Sequence, residues 1–158
     1  MHKMLLPAAA AGLLGLLACA NTFAEDLSSP IGTWKTIDDK TGKVKSEVQI
    51  FDVNGKLMGK IVELFREPGE DPDPVCDKCT GTLHNHKIKG LVIMWGFTRN
   101  GDQWTGGRIF DPQKPGNNED PYKAKLTLTN GGQNLVVRGY LGFSWIGRSQ
   151  TWQRVPGK

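Results

Sequence analysis

Two cysteines and two histidines lie within twelve residues of this sequence, in the stretch VCDKCTGTLHNH at positions 75–86. The spacing C-x2-C-x4-H-x-H joins Cys76, Cys79, His84 and His86, and three kinds of chemistry fit it. Sulfur and imidazole nitrogen together can ligate zinc. A C-x-x-C pair can exchange electrons as a dithiol, and two cysteines in an oxidising compartment can form a disulfide. The choice depends on where the chain resides.

The N-terminus has the pattern of a secretory signal peptide. Lys3 supplies a positive charge, an apolar run covers positions 5–20, and small residues follow at Ala20 and Ala24. The run is shorter than the roughly 20 apolar residues that span a bilayer, and no basic stop-transfer segment follows it. We therefore expect residues 1–24 to be a signal peptide cleaved after Ala24 or Ala20. The mature protein would be periplasmic or secreted, with no transmembrane span.

Cys19 provides an alternative fate for the N-terminus. The sequence Leu-Leu-Ala-Cys that ends at Cys19 loosely resembles the bacterial lipobox, in which the cysteine is lipidated. Leu17 directly before Ala18 is unusual for that motif, and other cleavage sites lie downstream. We favour removal of Cys19 with the leader over a lipid anchor.

Export favours a disulfide between Cys76 and Cys79. Secreted chains with an even cysteine count normally pair them. A zinc site is disfavoured because a His-x-His on a strand points its two rings to opposite faces. A redox dithiol is disfavoured because nearby acidic side chains such as Asp77 raise a thiol pKa, and no helix is predicted there. We expect the disulfide to fix the shape of a Pro- and Asp-rich loop, and we predict no metal site and no cofactor.

The overall composition indicates one soluble domain without a nucleic-acid partner. The chain carries 20 Lys and Arg against 16 Asp and Glu, a net charge of +4. These charges are scattered, with neither a basic stripe nor a nucleic-acid-binding motif. Residues 25–158 are the length of a single domain, which we expect to be a monomer.

Short alternating segments bounded by Gly, Pro, Asn and Asp predict an all-β protein. Tight-turn sequences such as Asn54-Gly55 and Asn100-Gly101 separate several of them. Consecutive strands joined by such turns favour an eight-stranded antiparallel up-and-down β-barrel, because closure removes exposed strand edges. The predicted strands are 31–38, 44–52, 56–65, 91–98, 103–110, 122–129, 133–142 and 146–154. Two longer connections, about 66–89 and 111–121, are predicted to be functional or poorly ordered loops.

The two ends of the domain resemble the lipocalins. Gly32 and Trp34 form a G-x-W on the first strand, and Arg154 ends the last strand. In lipocalin-like barrels the tryptophan closes the floor and an arginine covers its ring. The resemblance therefore implies that Arg154 makes a cation–π contact with Trp34.

The whole domain is more similar still to a family of exported bacterial proteins known as domain of unknown function 2147. The similarity extends in order from about Gly32 to Arg154. It is carried by the C-x-x-C and by the stretches GTWKTIDDKTGKVKSEVQIF, GKLMGKIVEL, GLVIMWGF, WTGGRIFDP and VRGYLGFSWIGRSQTWQR. The resemblance implies a lipocalin-like barrel in the cell envelope and implies no particular activity.

Several large side chains are candidates for binding a ligand inside such a barrel. Aromatic rings could line an apolar cavity, and inward-pointing arginines could meet a carboxylate. Ordinary core packing of the aromatics and solvent exposure of the arginines are the alternatives. The candidates are Trp95, Trp104, Arg108, Arg138 and Tyr140, with Trp145 as a further aromatic.

We expect no enzymatic activity, because the sequence has no G-x-S-x-G elbow, H-E-x-x-H motif or phosphate-binding loop. Three functions follow as hypotheses. The first is an exported protein that binds or carries a small apolar ligand in the cell envelope. The second is a packed envelope-stress or protein-interaction module without cargo. The third is metal binding through Cys76, Cys79 and a nearby histidine.

Overall fold

The computed structural model describes residues 26–158, in which eight strands form one closed antiparallel barrel. The predicted signal peptide and Cys19 lie outside the described residues. The all-β prediction is confirmed, and each strand end lies within two residues of its predicted position. The strands are β1 (Gly32–Ile37), β2 (Val44–Val53), β3 (Lys56–Leu64), β4 (Val92–Asn100), β5 (Gln103–Ile109), β6 (Tyr122–Thr129), β7 (Asn134–Tyr140) and β8 (Gly147–Val155).

Helical structure in residues 26–158 is limited to two 3₁₀ turns. They cover Gly81–Leu83 and Asn130–Gly132. Within the described part of the chain, no helix has the length and apolar character to cross a membrane.

The connections divide the barrel into two unlike ends. Strands alternate in direction, so successive connections lie at opposite ends. One end, here called the closed end, has only short turns at 54–55, 101–102 and 130–133, together with the segment 26–31. The other end, here called the mouth, has the connections 38–43, 65–91, 110–121 and 141–146. Both long loops therefore surround the mouth.

The barrel interior is filled by side chains over most of its depth. Trp34 on β1 lies opposite Val48 on β2 in the strand register, and neither is accessible to solvent. Alternation along each strand sends every second residue inward. Other fully buried interior side chains are Met94, Phe97, Leu126 and Leu135. This packed core contributes the hydrophobic stabilisation of the fold.

β-Bulges interrupt the alternation on β4 and β5, and two of them contain a glycine. Between Met94 and Phe97, β4 has one residue more than its partner β3, and between Trp104 and Gly107, β5 has one more than β6. Gly96 and Gly106 lie in these bulges with φ of 83° and 77°, values that glycine adopts without strain. Each bulge resets which residues point inward further along its strand.

Candidate functional site

Arg154 holds the closed end together. Its guanidinium carbon lies 4.2 Å from the centre of the Trp34 ring, as the lipocalin resemblance implied. Its nitrogens donate hydrogen bonds to the carbonyls of Gly132 at 2.7 Å, Ile31 at 3.0 Å and Ser29 at 2.7 Å. These bonds tie the last strand to the segment before β1 and to the turn before β7. The planar fork of arginine suits such multiple acceptors.

The segment before β1 is fixed by the tryptophan as well. Trp34 Nε1 donates a hydrogen bond to the carbonyl of Pro30 at 2.8 Å. Gly32 then begins β1 with a φ of 134°, in the region that favours glycine. The three residues of the predicted closure are therefore adjacent, and this end of the barrel is closed by buried polar bonds.

At the mouth, by contrast, inward-facing side chains remain partly exposed to solvent. Alternation from Ala124 points Tyr122 inward, yet its side chain is only half-buried. Ile109 shares that exposure and pairs with Tyr122 in the register. Gly139 contributes no side chain between them, since an added Cβ would lie 3.6 Å from Tyr122 and 3.7 Å from Ile109. The partly exposed side chains of Ile109 and Tyr122 beside Gly139 are called the recess below.

The loop 65–91, at the same end of the barrel, carries the predicted disulfide. Cys76 and Cys79 are bonded to each other, and both are buried. The backbone N–H of Cys76 also donates to the carbonyl of His86 at 2.7 Å, so the loop folds back on itself. Because both sulfurs are used in the disulfide, the metal-binding interpretation of this cluster loses its thiolate ligands and is wrong for this structure. His84 Nδ1 lies 2.9 Å from the carbonyl oxygen of Cys79 instead.

The two long loops are joined to each other by reciprocal hydrogen bonds. Thr80 donates its backbone N–H to Asn118 Oδ1 at 3.0 Å, and Asn118 Nδ2 donates to the Thr80 carbonyl at 2.9 Å. Gly116 N donates to the carbonyl of Lys78 at 3.0 Å. The loops therefore form one ordered layer, contrary to the alternative that they are poorly ordered.

That layer covers the outside of the barrel wall below the mouth. Ile93 and Trp95 flank the inward Met94 on β4 and thus point outward. Ile93 is nevertheless buried, as is Phe110, whose ring centre lies 6.3 Å from that of Trp95. These side chains and both cysteines belong to the same apolar cluster as the interior. The disulfide therefore lies within the hydrophobic core rather than on the surface.

Ion pairs link the other connections at the mouth. Lys43, between β1 and β2, lies 2.7 Å from Glu67, between β3 and β4. The hydrogen bond from Lys43 holds the pKa of Glu67 below its ordinary value, and the same bond raises the pKa of Lys43. Arg148 at the start of β8 pairs with Asp39. The mouth is thus bordered by charged contacts.

The candidate ligand-binding residues are not brought together in one cavity. Trp104 points inward and is buried, with the Arg99 guanidinium 5.4 Å from its ring centre. Trp95 and Arg108 point outward from paired positions on β4 and β5. Arg138 and Tyr140 also point outward, because they alternate with Val137, which is buried in the interior, and with Gly139, which pairs with the buried Ala124. Their role in ligand binding stays a prediction.

A cleft of about 290 Å³ lies beside the closed end, next to Trp104. Its lining mixes the apolar side chains of Leu57 and Phe97 with the charged groups of Asp26, Asp52 and Arg99. Such a lining suits a polar or charged molecule better than an apolar one.

The sequence interpretation did not identify the connection 141–146 as a surface feature. The predicted strands include Leu141 and Ile146, and the sequence makes Trp145 a candidate for the lining of a cavity. In the structure all three lie in the β7–β8 hairpin and are exposed. The closely spaced apolar residues of LGFSWI are the available signal for an exposed apolar surface, but the same pattern also predicts a strand.

Comparisons with known proteins agree with this architecture. Residues 32–154 match the bacterial family DUF2147, described as an uncharacterised protein conserved in bacteria. The structure is similar to that of protein HP1028 from the human pathogen Helicobacter pylori, which is described as belonging to the lipocalin family. The two share 18% sequence identity with a TM-score of 0.68, over 82% of this chain and 84% of that one. No curated protein matches the sequence.

Proposed function

The chain belongs to the uncharacterised bacterial family DUF2147 and has a lipocalin-like barrel, and from this premise we propose that it is an exported, non-enzymatic binding protein. Its ligand is a small, largely apolar molecule that enters at the mouth. Export is supported by the N-terminal leader pattern and by the buried disulfide. Fold alone does not fix function, so the proposal depends on the geometry of the mouth.

One observation carries the proposal: the middle of the barrel is tightly packed, whereas inward-facing apolar side chains at the mouth are partly exposed. Below the mouth Met94 and Leu126 are fully buried, whereas Ile109 and Tyr122 are not. Gly107 shows how tight the packed region is, because a Cβ added there would overlap the Phe97 ring. A Cβ added at Gly139, by contrast, would make only ordinary van der Waals contacts with its neighbours. The recess is therefore small, and it would bind one ring or a short alkyl chain.

The test compares two substitutions at Gly139. Gly139→Leu places a side chain between Tyr122 and Ile109 and fills the recess, whereas Gly139→Ala adds only a methyl group that fits. The probe is N-phenyl-1-naphthylamine, which is uncharged and fluoresces in apolar surroundings. We expect at least a tenfold weaker Kd for the leucine variant and an unchanged Kd for the alanine variant. Thermal melts of both variants establish that each is folded.

Native mass spectrometry of the unreduced protein from its own envelope fraction complements this test. Extra mass that leaves on adding the naphthylamine probe would support cargo at the mouth. Absence of both cargo and probe binding, or equal binding by all three proteins, would overturn the proposal.

The filled barrel favours a second function, a protein-interaction module without cargo. Its binding surface would be the ordered layer of the two long loops, which the Thr80–Asn118 bonds hold in one shape. Cross-linking in cells separates the two functions. Asn118→Ala removes the reciprocal bonds, so a partner held by the loops would be lost in that variant, whereas probe binding at Gly139 would persist.

A further inference from the structure

The β7–β8 hairpin exposes an apolar tip at the mouth. Four side chains between positions 141 and 146 are more than half exposed: Leu141 at 54%, Phe143 at 62%, Trp145 at 72% and Ile146 at 59%. Contiguous exposed apolar groups of this kind mark a surface that contacts a protein partner or a membrane. The name apolar tip is used below for these four residues.

The apolar tip is an ordered turn. Ile146 donates its backbone N–H to the Phe143 carbonyl at 3.0 Å, and Leu141 donates to the Ile146 carbonyl at 3.3 Å. The rings of Phe143 and Trp145 stack with centres 4.5 Å apart and planes 6° from parallel. The two rings therefore contact each other but are not covered by the rest of the barrel. They form a compact wedge that projects beyond the strands.

Four cations lie on the outer wall next to the apolar tip. They alternate with interior residues on three neighbouring strands and therefore point outward. Among residues 26–158 none of them belongs to an ion pair. The four, here called the basic wall, are Arg108 on β5, Lys123 and Lys125 on β6, and Arg138 on β7.

The strand register places like charges directly opposite each other on this wall. Arg108 pairs with Lys123, and Lys125 pairs with Arg138. Like charges at opposed positions destabilise a sheet, so the fold alone gives no reason for two such pairs side by side. An anionic partner would give one.

Arg138 connects the two features. Its Nε donates a hydrogen bond to the carbonyl of Ser144, within the hairpin, at 2.7 Å, and Nη1 donates to Ser149 Oγ at 3.0 Å. The apolar tip and the basic wall are therefore one continuous surface, with aromatic rings at its end and positive charge behind them.

We propose that this surface binds an anionic lipid bilayer, with the apolar tip inserted among the headgroups and the basic wall against lipid phosphates. Tryptophan is favoured at the membrane interface. Apolar insertion and attraction to anionic lipid reinforce each other in interfacial binding. The inference goes beyond ligand binding at the mouth and does not depend on it.

The experiment uses the purified protein and sedimentation with two kinds of vesicle. One contains phosphatidylethanolamine together with the anionic lipid phosphatidylglycerol, and the other contains only phosphatidylcholine. We expect binding to the anionic vesicles, at least tenfold weaker binding to the neutral ones, and a blue shift in the fluorescence of Trp145. Brominated lipids should quench that signal.

Two double variants and a control test the two halves of the surface. Phe143→Ser with Trp145→Ser should reduce binding to anionic vesicles at least tenfold. Lys123→Gln with Lys125→Gln should weaken it several-fold and reduce its salt dependence. The control, Lys56→Gln with Lys60→Gln, removes two charges from β3, which is not among the strands of the basic wall, and should bind like the parent protein.

Three results would overturn the proposal. They are no binding of the parent protein to anionic vesicles, equal binding by the tip variant, and equal weakening by the β3 control. Capture of an acidic protein through the same residues, without vesicle binding, would overturn it too. Probe binding at the mouth is measured separately, so its failure would leave membrane binding intact.

Discussion

The closed end and the mouth of this barrel are held together by different kinds of interaction. At the closed end a single arginine satisfies three backbone carbonyls and covers a buried tryptophan. At the mouth no such central group occurs among the described residues. Two long loops are held instead by a disulfide, reciprocal amide bonds and exposed ion pairs. The closed end stabilises the barrel, whereas the mouth displays side chains to solvent.

The contrast also separates residues that fold the chain from residues that can bind. Buried apolar and polar groups at the closed end already have partners within the molecule. The partly exposed recess, the apolar tip and the basic wall all lie at the mouth or beside it. Binding surfaces are expected where a rigid scaffold presents side chains that are exposed to solvent.

Loss of Arg154 should have the largest effect on stability. Arg154→Ala removes three charge-assisted hydrogen bonds and the contact with Trp34. We expect the free energy of unfolding to fall by about 3 kcal/mol or more, since each such bond contributes about 1.5–3 kcal/mol. Urea unfolding measures the change.

Arg154→Lys is the matched control, because it keeps the charge but not the planar fork. It should lose less stability than the alanine variant. A loss below about 1 kcal/mol for Arg154→Ala, in the range of an ordinary surface change, would show that the closed end does not depend on this residue.

Removal of the disulfide should have an intermediate effect, confined first to the mouth. Replacing Cys76 and Cys79 with alanine opens a loop between residues three apart in the sequence. Chain-entropy reasoning for so short a loop gives about 2 kcal/mol. Hydrogen exchange should accelerate at Thr80 and its neighbours before it changes at Trp34.

Reduction of the parent protein serves as the control for that double variant. If the disulfide acts as a constraint on the loop, then reduced protein and the alanine variant should lose similar stability. Uniform acceleration of exchange at both ends would mean that the two ends are not independent.

The smallest effect on stability should come from protonating Glu67 in the Lys43–Glu67 ion pair. Both side chains are more than half exposed, so the pair contributes little. The pKa of Glu67 lies below its ordinary value of 4.5 because of the hydrogen bond from Lys43. The contribution of this ion pair to stability is therefore fully present above pH 4.5 and is lost as the pH falls through the lowered pKa of Glu67.

The raised pKa of Lys43 limits the contribution at high pH. The pKa of Lys43 lies above its ordinary value of 10.5. The stabilisation by the ion pair is therefore complete below pH 10.5 and is lost as the pH rises through the raised pKa. Carboxyl chemical shifts measured between acid and neutral pH should show the lowered pKa of Glu67. Glu67→Gln should remove the part of the pH dependence of the unfolding free energy that this pair contributes, and an unchanged dependence would exclude the pair as its cause.

The strands and short turns of the closed end could be predicted from the sequence. Alternating apolar residues and tight-turn dipeptides are local signals of backbone geometry, whereas the contact between Arg154 and Trp34 was expected only from the resemblance to lipocalins. The disulfide was predictable for a different reason, because the leader pattern indicated an oxidising compartment. The strands, the short turns and the disulfide each depend on short stretches of chain.

The mouth was harder to predict, because its geometry depends on distant segments. Alternation shows which residues share a face but not which face is inside, and the bulge at Gly96 resets the pattern between Trp95 and Phe97. Trp95 consequently points outward beneath a loop. The recess at Gly139 depends on Tyr122 and Ile109, which belong to two other strands.

The contact between the two ends of the chain has a consequence for the order in which the molecule can fold. Arg154 donates to the carbonyl of Ile31, 123 residues earlier, and Trp34 faces Arg154 in the strand register. Until the last strand has been synthesised, β1 lacks one of its two neighbours and Trp34 lacks its cover. Such distant pairing is slow, since a long segment must first be ordered. A chain threaded through a membrane would therefore remain unfolded until its final residues arrived.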